Sequence, residues 1–363
     1  MNQTLDIKPL TAVRFFAALW VVVFHYWPHL AGAGARPEFV ARGYLGVEMF
    51  FVLSGFILCH VYLPQVEDKS YSYKGFLWAR IARIYPLHIA TLIGVGGMAL
   101  AATAAGIAID PHILSWKSLA ANLSMTQAWG LAPEAGWNHP SWSISAEWFA
   151  YLTFPLFAVA ALALKSRPYV AAAGAAALLT GLYLLFPLVA GFRLTQATIA
   201  WGALRIVPCF ALGCAAYLVW RSRPISKPAT ALAASALLVT AAVVMAALRA
   251  HDALIVLTFG ALMVSLASLT TSGSRFGSGP VGVWLGEVSY AVYMVCVPWQ
   301  LLFVGAAGKL LGYEEQLPLW LWLVFTAGVL PVAALAHHLV ERPARGVLRG
   351  FGKRKTAIQP SFA

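Results

Sequence analysis

Arg14 and His25 are separated by ten apolar or aromatic residues, Phe15 to Phe24. Ionisable groups in such a stretch are costly to keep there unless they are used or satisfied. At about 100° per residue the two side chains return to within roughly 20° of one helix face, about 16 Å apart along the axis. An imidazole and a guanidinium aligned on one face in this setting read as a functional pair. The plain structural alternative has Arg14 snorkelling to an interface and His25 satisfied in the interior.

A second chemistry-bearing stretch is Gly43-Tyr-Leu-Gly46-Val-Glu48 followed by Phe50-Phe-Val-Leu-Ser54-Gly55. It sets a carboxylate near one end of an apolar run and a small Ser-Gly pair in its middle. Glu48 needs a partner, for which His25, Arg42 and water are all open, or it stays a hydrated carboxylate near the surface. Glu147 stands at a similar expected depth. Either carboxylate beside His25 would fix its tautomer and raise its basicity. Arg80 and Arg83, three residues apart, fall on one helical face just before Tyr85-Pro86. Trp129, Trp137, Trp142 and Trp148 suit either an interfacial belt or, with Asn138, His139, Ser143, Ser145 and Glu147, the lining of a pocket.

The elements that must position these groups are membrane helices. Of 363 residues, 61% are apolar and 10% charged, against roughly 25% charged in a soluble globule. Apolar runs long enough to span hydrocarbon, about 20 residues each, lie near 10–31, 44–63, 84–105, 147–164, 168–190, 198–220, 229–249, 253–271, 284–307 and 318–340. The expected fold is therefore an all-α polytopic bundle of about ten transmembrane helices with both termini cytoplasmic. A single membrane domain over 1–345 would be followed by a basic cytoplasmic tail, 346–363.

The net charge of +12 supports this orientation rather than a nucleic-acid partner. With the N-terminus inside, 17 of the 25 basic residues fall in inner segments: Lys8; Lys69, Lys74, Arg80 and Arg83; Lys165 and Arg167; Arg221, Arg223 and Lys227; Arg275; and Arg342, Arg345, Arg349, Lys353, Arg354 and Lys355. Only Arg36, Arg42, Lys117, Arg193, Arg249 and Lys309 fall outside, while Arg14 and Arg205 lie within apolar spans. That asymmetry is the positive-inside pattern, and the basic face can also touch anionic lipid.

The cysteines, Cys59, Cys209, Cys214 and Cys296, all fall in apolar spans without metal spacing, so neither a disulfide framework nor a metal site is expected. Lys8, Phe15 to Phe24 and Ala31-Gly-Ala33 imitate a secretory signal peptide, but Arg14 and His25 are poor material for one.

These residues resemble the membrane-bound acyltransferase-3 family, O-acyltransferases of cell-surface polysaccharides, peptidoglycan, lipid-linked sugars and some macrolides. The resemblance rests on Arg14 and His25 with their ten-residue gap, on Gly46-Val-Glu48 through Phe56, and on Arg80 with Arg83-Ile-Tyr85-Pro86. It continues through Trp142-Ser-Ile-Ser-Ala-Glu147, Arg205 with Phe210 and Gly213, and Gly286-Glu-Val-Ser289-Tyr290 followed by Tyr293 and Pro298, covering residues 10 to 345. Two departures stand out: Trp148 where many members carry a second glutamate, and Cys296 near a position where many carry histidine. No esterase-like domain follows, so the membrane domain alone is expected to recognise the acceptor.

The resemblance implies acyl transfer, acetyl by default, from cytoplasmic acyl-CoA to a hydroxyl of a saccharide or related acceptor at the outer side of the bacterial inner membrane. His25 would be the general base, less simply a transient acyl carrier, and Glu147 would orient it. Arg14, Arg80, Arg83 and Tyr85 would hold the donor, with a pantetheine arm reaching up between helices. Glu48, Asn138, Trp142, Ser143, Ser145, Arg205 and Tyr290 would contact substrate. The rival is a non-enzymatic transporter or flippase, which also places Arg, His and Glu in the membrane. No inverted repeat or matched pair of broken helices supports that rival.

Overall fold

The computed structural model describes residues 5–106, 110–313 and 316–356, with side chains described to Phe351 and Pro111 excepted. The chain forms α1 (Lys8–Tyr26), α2 (Glu38–Ala41), α3 (Gly46–Glu67), α4 (Tyr73–Ala104), α5 (Leu119–Leu123), α6 (Trp142–Leu152), α7 (Phe154–Ala163) and α8 (Pro168–Ala190). It continues as α9 (Gly202–Ser222), α10 (Pro228–Ala247), α11 (Asp252–Thr271), α12 (Pro280–Leu311), α13 (Leu319–Ala336) and α14 (Arg342–Thr356). A single π turn, His337–Glu341, joins the last two.

Among the described residues nine helices are long and apolar enough to cross a membrane, and the bent pair His139–Leu152 and Phe154–Ala163, 55° apart, makes a tenth if it counts as one span. This multi-pass, all-helical bundle is the architecture expected from the apolar runs. Backbone groups in hydrocarbon have no water to bond, so helices that satisfy themselves internally are one of only two solutions there.

α3 and α9 form the centre, 72% of the apolar window of each being buried. Glycine is what lets them meet: a Cβ on Gly213 would overlap the Val52 carbonyl, and one on Gly55 the Phe210 carbonyl. Gly286 likewise lets α12 lie on Thr11 of α1. Without a hydrophobic force between helices in lipid, such backbone proximity is a main source of association. α8 and α10 face outward, with 22% of each window buried.

Two local departures from the hydropathy reading bear on function. The inner loop expected over 65–83 is mostly helix, because Ser72 caps α4 by accepting from the Gly75 N–H at 3.2 Å, and α4 runs from Tyr73. Arg80 and Arg83 therefore ride on a continuous helix. The loop expected outside the membrane up to 146 instead folds back along α4. Its carbonyls bond α4 side chains, Leu123 O accepting from Tyr85 at 3.1 Å and Asn122 O pairing with His88 Nε2 at 2.8 Å. Asn138 donates to Thr91 at 3.0 Å. The polar run was hard to place by hydropathy because its groups are satisfied by the protein rather than by water. The boundary expected at 345/346 falls inside α14, and residues 357–363 of the basic tail lie outside the described residues.

Candidate active site

A cavity of about 380 Å³ opens among α1, α3, α4, α6 and α12, within the roughly 300–1,000 Å³ range of small-molecule sites. Leu5, Asp6, Ile7 and His60 mark one end, and Val47, Phe50, Ser143 and Tyr293 the other. The first end is where the N-terminus meets α3, since His60 Nε2 lies 2.8 Å from Leu5 O. Between the ends, Arg14, Arg80, Arg83, Glu147, Tyr151 and Tyr290 line the walls.

Charge in this cavity is unbalanced. Arg80 donates to Tyr62 at 3.3 Å and its guanidinium stacks among Tyr62, Phe76 and Tyr151. Among the described residues, Arg14 and Arg83 make no hydrogen bond and no ion pair within 4 Å. The one acidic group deep in the wall, Glu147, is held by hydroxyls: it accepts from Ser54 at 2.9 Å and from Tyr151. Three guanidinium groups facing a cavity with an apolar and aromatic inner end suit a ligand with phosphates at one end and an acyl chain at the other.

His25 is not part of this cavity. Gly46 packs on Ala17 and Val21, so the cavity's inner end at Val47 and Phe50 is level with the middle of α1, and His25 sits about two turns farther along. Its Nδ1 lies 2.9 Å from the Val21 carbonyl. A carbonyl only accepts, so Nδ1 carries the proton and, in the neutral ring, Nε2 holds the free lone pair. His139 and Arg36 are its charged or titratable neighbours.

A family model described as an acyltransferase domain matches residues 7–338. The chain belongs to the acyltransferase-3 family. It is similar to acyltransferase MdmB of Streptomyces mycarofaciens, 31% identical over 99% of this chain and 97% of that protein. Protein 2 in the picA locus of Rhizobium radiobacter is 39% identical over 23% of this chain and 40% of its own. A Staphylococcus aureus (strain COL) protein named for O-acetyltransferase activity is 24% identical over 45% of this chain and 26% of its own. No solved structure matches. As a membrane-embedded member of the acyltransferase-3 family, the protein is an O-acyltransferase rather than a non-enzymatic transporter.

Within this acyltransferase the other anticipated residues, Tyr85 apart, separate into two groups, the cavity and an internal frame. Arg14, Arg80, Arg83, Ser143, Glu147 and Tyr290 share the cavity. Tyr290 donates to Ile84 O at 2.7 Å, which ties α12 to α4. Glu147 does not orient His25: α6 carries it toward the Arg14 end, where Tyr73 donates to Leu152 O at 2.9 Å, and the Val21 carbonyl takes the orienting role instead. Tyr85 is absent from the cavity, its hydroxyl spent on Leu123.

Glu48, Trp142, Asn138, Ser145 and Arg205 form the internal frame. Arg205 Nε donates to Glu48 Oε1 at 2.5 Å with side chains 2% and 0% exposed. Its guanidinium lies 4.6 Å from the Trp142 ring centre, and Nη1 donates to Ala197 O at 2.8 Å. Asn138 also donates to Met294 O at 2.9 Å, and Ser145 Oγ accepts from the Ala128 N–H at 3.0 Å. None of these five lines the cavity. In the same folded-back loop, Ser115 donates to Glu134 at 2.6 Å and holds its carboxyl below the usual carboxylate range.

Two features had little sequence signal. The Val21 carbonyl is visible only as the residue four before His25. The buried pair His337–Glu341, 2.9 Å apart in the π turn, carries no apolar-span signature, although π turns often occur where function demands them.

Proposed function

We propose that this enzyme takes acyl-CoA, acetyl-CoA by default, into the arginine-lined cavity from the cytoplasm. It passes the acyl group to a hydroxyl of a saccharide or related acceptor that meets His25 at the outer side of the bacterial inner membrane. The observation that carries this reading is the pair of unpartnered guanidinium groups, Arg14 and Arg83, in a cavity that grows apolar and aromatic inward. The cavity opens at the end where the basic residues of alternate loops gather, which the positive-inside pattern assigns to the cytoplasm together with both termini.

The two-turn offset between the cavity's inner end and His25 is spanned by the extended pantetheine arm moving past Phe50 and Tyr293. At His25 the Nε2 lone pair accepts the hydroxyl proton as the acceptor oxygen attacks the thioester carbonyl. The new ester C–O bond forms, the C–S bond breaks, and the proton returns from the imidazolium to the departing thiolate.

The test is transfer of radiolabelled acetyl from acetyl-CoA by membranes carrying the protein, offered polysaccharide, peptidoglycan, lipid-linked sugar and macrolide acceptors in parallel. Label reaching one acceptor class through a base-labile ester is the expected result. Label transferred to none of them, with longer acyl-CoA donors equally inert, would contradict the proposal.

A further inference from the structure

α14 packs on the helix that carries Arg80 and Arg83, beside the cavity and outside its lining, and its basic residues have so far served only to orient the chain. Glu341, 1% exposed, ends the π turn, and Arg345 and Arg349 follow at four-residue steps on the same helical stripe. Arg345 Nη1 lies 3.7 Å from Glu341 Oε1. Trp78 of α4 donates to Leu348 O at 2.7 Å, which pins α14 on the helix that carries Arg80 and Arg83. Arg349 lies within electrostatic reach of both Arg80 and Arg83, and Arg345 within reach of Arg83. Arg345, partly buried, and Arg349, exposed, sit on the inward stripe that continues from Glu341 against α4, whereas Arg342, also exposed, lies off that stripe.

Four guanidinium groups thus gather on α4 and α14, with Arg14 behind them. Glu341 is already shared between His337 and Arg345. Like charges held together repel, and a polyanion bound among them relieves that repulsion. We propose that Arg345 and Arg349 form the outer part of the donor site, a helix-borne clamp for the phosphates of the nucleotide end of the acyl donor. This rests on the cavity being the acyl-CoA site, and adds α14 to the residues that recognise it.

The experiment is equilibrium binding of radiolabelled acetyl-CoA, and of its 3′-dephospho form, to the full-length protein in nanodiscs. Wild type is compared with Arg345→Gln and Arg349→Gln, and with Arg342→Gln as a same-helix control. Each inward variant is expected to weaken acetyl-CoA binding roughly ten-fold, the scale of one charge-assisted contact. The variant that contacts the 3′-phosphate should lose little further affinity for the dephospho form. Arg345→Lys and Arg349→Lys, which keep the charge but not the fork, report if a glutamine variant fails to fold, and are expected to bind several-fold more weakly than wild type.

Wild-type affinity retained in both inward variants, or matched by the loss in Arg342→Gln, would overturn the clamp while leaving the cavity reading intact. Absence of acetyl-CoA binding by wild type would overturn both. A loss seen only in nanodiscs containing phosphatidylglycerol and absent in purely zwitterionic ones would assign the arginines to lipid phosphate and end the proposal.

Discussion

Replacing His25 with alanine is expected to lower acyl transfer by roughly 10²- to 10⁴-fold, the range attributed to a positioned general base, while leaving donor binding within about two-fold of wild type. The two halves of this expectation come from one geometric fact. His25 lies outside the arginine-lined cavity, so its removal leaves the contacts to the donor's phosphates in place. Its Nδ1 is committed to Val21 O, so the free Nε2 is the only imidazole position left for an acceptor. His25→Gln keeps an amide near that place but supplies no base, and should match alanine. Steady-state transfer and labelled acetyl-CoA binding, measured on the same preparations, check both halves. A His25→Ala protein that binds donor and retains more than about a tenth of wild-type turnover would remove His25 from the chemistry.

Arg205→Ala is expected to be the most damaging single change to folding, costing roughly 3–5 kcal/mol, because it strands the Glu48 carboxylate in the interior. The same change also removes the cation stacked on Trp142 and the bond to Ala197 O. Glu48→Gln should cost less, since the amide oxygen still accepts from Arg205, whose stranded charge keeps the Ala197 carbonyl and the Trp142 ring. The double variant Glu48→Leu/Arg205→Met should recover most of the loss, as apolar replacements of buried ion pairs often do. Thermal unfolding in detergent, with monodispersity on size exclusion as a second readout, gives the order. If the double variant folds yet its donor affinity collapses, Glu48 and Arg205 touch substrate after all and are more than frame.

Length and hydropathy were enough to anticipate the bundle, because about 20 consecutive apolar residues admit few alternatives. The side-chain period was enough to align Arg14 with His25 and Arg80 with Arg83, because those pairs are local. What escaped depends on contacts across the chain. Glu48 and Arg205 are 157 residues apart, and nothing in the span of either names the other. The backward fold of the loop before α6 was invisible because its Trp, Asn and Ser content reads equally as an interfacial belt. It is settled only by partners such as Thr91 and Met294. Glu147 was assigned to the wrong histidine-facing depth for the same reason: once the loop dives inward, the helix that carries Glu147 starts earlier and delivers it to Ser54 and Tyr151. Of the residues in the family motifs, Arg14, Arg80, Arg83, Glu147 and Tyr290 converge on one cavity from four different helices.

The most direct test of that convergence is protection of a cysteine placed inside the cavity. Ile57 lines it, and the native Cys59, Cys209, Cys214 and Cys296 are all buried and should react slowly. Ile57→Cys in inverted vesicles, labelled with a membrane-impermeant maleimide, should be protected by acetyl-CoA at micromolar concentration, with protection lost when Arg14→Gln and Arg83→Gln are added. Labelling at an unchanged rate in saturating acetyl-CoA would mean that the donor binds elsewhere.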